Sequence, residues 1–209
     1  MKKIVLSLCD HSSNMVRPWA EAGFECYCID LKHPRGTTTE GNIHKVGDDV
    51  LWFANYEVSD LKPCIVFAFP PCTHLAVSGA RWFQAKGMDA LIGALQVVNA
   101  CRKICEHSGA PYMIENPIST LATYWRKPDH IFDPCEYGGY EGGAGDTYTK
   151  KTCLWTGGGF RMPAKKPVLA LEGSRMHLMP PGENRAELRS LTPEGFARAV
   201  FEANREVCG

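Results

Sequence analysis

The run Cys64-Ile65-Val66-Phe67-Ala68-Phe69 is continuously apolar and stops at Pro70-Pro71-Cys72. A stretch of that length without polar alternation predicts a strand buried on both faces, and hence a parallel sheet covered by helices. Two successive prolines cannot donate to a ladder, so the strand must end there and leave Cys72 on the loop beyond its carboxyl end. In an open α/β sheet that rim is where ligands bind. A free cysteine is by default a buried, inert thiol, so a functional reading of Cys72 needs support from elsewhere in the chain.

The rest of the chain repeats the pattern. Ile4-Val5-Leu6-Ser7-Leu8 reads as a first buried strand, followed by the turn Cys9-Asp10-His11-Ser12-Ser13-Asn14. A helix capped by Ser12 or Ser13 then runs to a stop at Gly23. Phe24-Glu25-Cys26-Tyr27-Cys28-Ile29 is a second strand ending in Asp30. An acid there either accepts hydrogen bonds from a ribose or caps the next turn. Residues 32–42 read as a polar loop, and Val46-Gly47-Asp48-Asp49-Val50-Leu51 as the start of a third strand. Leu91, Leu95, Val98, Cys101 and Cys105 recur at helical spacing, which predicts a core-facing helix capped by Asp89 and closed by Gly109. Tyr112-Met113-Ile114 is a further buried strand, terminating in Glu115-Asn116-Pro117. A strand with basic residues at its start follows at Thr149-Lys150-Lys151-Thr152-Cys153-Leu154-Trp155. A last helix opens with Thr192 as N-cap and Pro193 in its first turn. Together these predict a doubly wound, Rossmann-like α/β fold in a single domain.

Three of these stretches resemble the DNA cytosine-5-methyltransferase family. Pro70-Pro71-Cys72 with the small-residue stretch after it is similar to the family's nucleophile loop, and Glu115-Asn116-Pro117 to its Glu-Asn-Val element. Residues 5–30, including Ala22-Gly23-Phe24 and Asp30, follow the cofactor motif without a gap, with His11, Ser13 and Asn14 replacing its glycines. The resemblance implies a methyltransferase version of the Rossmann-like fold, with S-adenosylmethionine as cofactor and C5 of cytosine in DNA as methyl acceptor. It further implies Cys72 as nucleophile, Glu115 and Asn116 beside it, and Lys150 or Lys151 in place of a base-holding arginine. Cofactor contacts would come from Cys9, Asp10, His11, Ser13 and Asn14, from Asp30, from Asp48 or Asp49, and from Pro70. Arg189-Ser190-Leu191-Thr192 is similar to the element that precedes the family's last helix. The loop-rich region 157–188 stands where the family carries its target-recognition domain, and it is too short to hold a core of its own.

Composition bears on the substrate. Lys and Arg total 23 against 23 Asp and Glu, a net charge of zero, whereas clamping duplex DNA by its phosphates favours a basic protein. The same chemistry on a cytosine nucleotide or a single-stranded nucleic acid therefore stays open. So does a catalytically silent binding protein, because the cofactor glycines are replaced. The ten cysteines are scattered and read as reduced thiols, and His130, Cys135 and Cys153 match no strong metal-ligand spacing, so no metal is expected. No apolar run approaches the length that spans a bilayer, and Met1-Lys2-Lys3 leads straight into a strand, which makes a cytoplasmic protein without a membrane partner the expectation.

Overall fold

The computed structural model describes residues 3–56, 61–174 and 185–208. Its strands are β1 (Ile4–Leu8), β2 (Glu25–Ile29), β3 (Gly36–Glu40), β4 (Ile43–Gly47), β5 (Ile65–Ala68), β6 (Tyr112–Pro117), β7 (His130–Phe132) and β8 (Thr152–Gly157). Its α-helices are α1 (Arg17–Glu21), α2 (Val50–Tyr56), α3 (Phe83–His107), α4 (Leu121–Tyr124), α5 (Arg185–Ser190) and α6 (Glu194–Asn204). The strands form one mixed sheet in the order β3-β4-β2-β1-β5-β6-β8-β7. Strands β4, β2, β1, β5 and β6 run parallel, while β3 and β8 are antiparallel to their neighbours. The architecture is thus α/β, compatible with a Rossmann-like arrangement.

Side chains alternate across the sheet, so each strand feeds two cores. On one face Val5, Phe67 and Met113 pack with Trp19 of α1 and Phe196 and Phe201 of α6. On the other, Leu6, Val66 and Ile114 pack with Phe53 of α2 and with Val98, Cys101 and Ile104 of α3. The chain leaves β1 toward β2 on one side, and β5 returns on the other. The strand order therefore reverses between β1 and β5, and the crevice beyond their carboxyl ends is the ligand-binding position of such sheets.

Several boundaries differ from the sequence reading. Residues 36–40 form β3 rather than loop, hairpinned onto β4 around Gly41, which adopts φ +59°. β3 is exposed throughout and offers no apolar alternation to detect. The third parallel strand ends at Gly47; Val50 and Leu51 belong to α2, whose first turn is held by the Asp49 carboxylate accepting from Leu51 N–H at 2.9 Å. Helix α3 begins at Phe83, well before Asp89, and is interrupted by Gly87 at φ 75°. Helix α6 begins at Glu194 after a Pro193 cap, and Asp146, not Thr192, receives the Gly195 N–H at 2.8 Å. Within the loop-rich region, residues 185–188 are helical, and 175–184 lie outside the described residues. Among the described residues, no helix is long and apolar enough to cross a membrane.

Candidate active site

The two loops flanking the β1/β5 crevice carry half of the residues singled out by sequence. Beyond β5, Pro70 is buried and its carbonyl accepts from Asn116 Nδ2 at 2.9 Å, tying the end of β6 to the Pro-Pro-Cys turn. The Cys72 carbonyl accepts from Leu75 and Ala76 N–H at 2.9 and 2.8 Å, and Thr120 N–H donates to Leu75 carbonyl at 3.0 Å. Leu75 is fully buried beneath the turn. The loop bearing Cys72 is therefore fixed by the Asn116 side chain of β6 and by a backbone bond from the segment after it.

Along β6, Asn116 and Glu115 point to opposite faces, as strand periodicity requires. Glu115 enters a narrow cleft among Phe69, Lys150, Thr152, Leu191 and Thr192. Its Oε1 is buried with no hydrogen-bond partner, as is Asn116 Oδ1. Burial pushes the Glu115 carboxyl up from its usual range, and the Lys150 ammonium only partly offsets this. The Cys72 thiol is likewise pushed up, first by burial and then by the Glu115 carboxylate, while Lys150 and Arg189 pull it down. Cys72, Glu115, Lys150 and Arg189 thus form one electrostatic group.

Lys150 is aimed by Asp133, whose carboxylate accepts its backbone N–H at 2.9 Å, and its ammonium donates to Arg189 carbonyl at 2.8 Å. The structure separates the two lysines that sequence left as alternatives. Lys151 donates to Asp133 at 2.6 Å with its side chain 64% exposed, and it is not among the groups that shift Glu115 or Cys72. In sequence Arg189 stands only within the element before the last helix; its effect on Cys72 depends on α5 returning to the site, which no local pattern announces.

The turn after β1 is built differently. Asp10 is buried and accepts from Ser7 Oγ at 2.8 Å, Ser13 N–H at 2.8 Å and Ser12 Oγ at 3.1 Å. Burial still outweighs these bonds and raises its carboxyl. Cys9 turns its thiol to Cys101, 3.9 Å away. The Asn14 amide donates to Thr192 carbonyl at 3.2 Å, and His11 lies against His33 with ring centroids 5.1 Å apart. Asp10 and Asn14 therefore shape the loop through these bonds. Asp30 and Asp49 both lie close enough to Cys9 to raise its thiol. Each spends one carboxylate oxygen locally, Asp30 on Lys32 N–H at 2.8 Å and Asp49 on the start of α2, as Asp48 does on Asp49 N–H at 2.7 Å. Asp30 thus does cap its turn, with its second oxygen left over.

The residues that the resemblance ties to S-adenosylmethionine keep some features suited to such a group. Cys9 and Ser13 hold left-handed backbone at φ 55° and 59°, so the β1 turn keeps a glycine-type path without glycine. Carboxylates at the ends of β2 and β4 suit ribose hydroxyls and an amino group. Among the described residues, no group of three or more His, Cys, Asp or Glu side chains could hold a metal ion. No known protein-family model matches the chain, and no curated protein proves similar to it.

Proposed function

We propose that the chain is an S-adenosylmethionine-dependent methyltransferase acting on C5 of cytosine in DNA through a covalent bond from Cys72 to C6. The observation that supports this reading is the convergence on Cys72 of Lys150, Arg189 and Glu115, whose buried Oε1 has no hydrogen-bond partner. Perturbed titratable groups gathered at a rim of this kind are the signature of a reaction site.

Cytosine C5 is too weak a nucleophile to take a methyl group unaided. Addition of the Cys72 thiolate to C6 makes C5 enamine-like and sends electron density to N3. Glu115, whose burial favours the protonated form, supplies the proton or hydrogen bond that N3 then needs. A proton on Glu115 also removes the carboxylate's share of the upward push on Cys72, leaving Lys150 and Arg189 to work against burial alone. When bound, the cofactor supplies an electrophilic methyl group; Asp30, Asp48, Asp49 and the Cys9 to Ser13 backbone are the groups that would hold it. Loss of the C5 proton and departure of Cys72 restore the ring. A cytosine in duplex DNA would have to leave the stack to reach Cys72.

The zero net charge favours a second reading in which the same chemistry acts on a single strand or a nucleotide. Tritiated methyl transfer to duplex, single-stranded and mononucleotide substrates separates these. A 5-fluorocytosine substrate should trap an adduct that Cys72→Ala abolishes; trapping or methylation that survives this substitution would overturn the mechanism. Cofactor binding without transfer to any substrate would leave a silent binding protein.

A further inference from the structure

The segment following Cys72 carries an exposed aromatic surface that the chemistry above does not use. Residues Val77–Trp82 form a 3₁₀ turn leading into α3. The turn folds back over the residue next to the nucleophile. A Cβ on Gly79 would stand 4.0 Å from Thr73 carbonyl, and Lys86 Nζ donates to that same carbonyl at 2.7 Å. Trp82 lies between these two contacts in the chain. Its residue is 54% exposed, outside both cores, and the Arg81 guanidinium sits 5.2 Å from its ring centroid. Val77 and Ile118, 51% and 45% exposed, extend the patch, joined by the bond from Val77 N–H to Ile118 carbonyl at 3.1 Å.

We infer that Trp82 and Arg81 form a stacking platform that holds a base flanking the target in single-stranded DNA. This rests on the reading of Cys72 as a nucleophile toward cytosine. A large apolar side chain kept in water beside a reactive rim marks an interaction surface. An indole with a cation against one face takes a nucleobase on the other and a phosphate at the guanidinium. Base faces are open to such a platform in a single strand and closed inside a stacked duplex. A chain of zero net charge with Arg81 and Lys86 at this rim suits a partner held by stacking more than one clamped along both backbones.

Fluorescence anisotropy with the full chain tests this, using fluorescein-labelled oligo(dT), a cytosine-containing strand of equal length, and a hairpin duplex. Both single strands should bind more tightly than the duplex. Trp82→Ala should weaken single-strand binding roughly 5- to 150-fold, the span of one base–aromatic stack, while Trp82→Phe retains most of it. Arg81→Ala should lower the salt slope by about 0.7, one phosphate's worth on a single strand. Equal affinity for the duplex, or unchanged binding by Trp82→Ala, would overturn the inference. Oligo(dT) contains no cytosine, so its binding reads the platform apart from Cys72 chemistry. Strong, Trp82-dependent oligo(dT) binding without methyl transfer would keep the platform and sink the proposed reaction; methyl transfer indifferent to Trp82 would do the reverse.

Discussion

The two sides of the β1/β5 crevice differ in how their carboxylates are bonded, although Asp10 and Cys9 are pushed up on one side as Glu115 and Cys72 are on the other, and Ser13 Oγ is as unbonded as Glu115 Oε1. On the β1 side, Asp10 accepts three bonds and Asp30, Asp48 and Asp49 each hold a neighbouring N–H. On the β5 side, Glu115 and Asn116 each keep a buried oxygen unbonded, and Glu115 and Cys72 depart from their usual proton affinities. Satisfied polar groups build a loop, whereas buried groups left unsatisfied store a free-energy cost that a substrate can relieve. The carboxylates on the β1 side brace a loop, while the proposed function gives Glu115 the part that meets the substrate.

The largest effect should come from the unsatisfied side. Glu115→Gln keeps the shape but cannot deliver a proton, so single-turnover methyl transfer should fall by roughly 10² to 10⁴ with cofactor affinity unchanged. A loss under about threefold, far below the general-acid range, would make Glu115 a strand cap and erase the contrast. The same substitution carries a pH signature. Burial raises the folded-state value of Glu115, so its stabilising share is full below the ordinary carboxyl range and is lost as pH rises through the folded value. Urea melts should therefore show the Gln variant matching wild type in acid and gaining on it toward neutral pH. A difference independent of pH would mean that the carboxylate ionises at no cost.

On the satisfied side the expected effects are structural and smaller. Asp10→Ala orphans the buried Ser13 N–H and should cost about 1 to 3 kcal/mol in urea denaturation, more than Asp10→Asn, which can still accept that bond. Asp30→Ala should weaken S-adenosylmethionine binding by about 1.5 to 3 kcal/mol in calorimetry, as for a charge-assisted bond. Unchanged affinity would leave Asp30 with its turn alone. The smallest effect is expected at Lys151, an exposed partner of Asp133: Lys151→Ala should change stability by less than about 1 kcal/mol and leave methyl transfer intact. Lys150→Ala, measured beside it, should slow transfer; equal effects at the two positions would break the distinction drawn between them.

The buried parallel strands were legible because a strand covered on both faces must be apolar throughout; β1, β2, β5 and β6 fall where the runs 4–8, 24–29, 64–69 and 112–117 put them. The hairpin strand β3 was not, since Gly36, three threonines and Glu40 lie wholly in water. Cys72, Glu115 and Asn116 each end or follow a readable strand, but only the family resemblance put them beside one another. The choice between Lys150 and Lys151 could not be made, because both precede β8 and only Asp133 and α5 decide which one turns inward. Arg189 was hidden for the same reason: its neighbour Cys72 is distant in sequence.

The left-handed backbone of Cys9 and Ser13 changes how binding at the β1 turn should be thought of. Each non-glycine residue in that conformation costs about 1 kcal/mol, and the Asp10 bonds offset it in the folded chain. A glycine loop loses configurational freedom when a ligand arrives; this one has lost it during folding, so the proposed cofactor would meet a mould already set. Glycine spelling in such a turn is then a habit of sequence, and the path the backbone takes is the requirement.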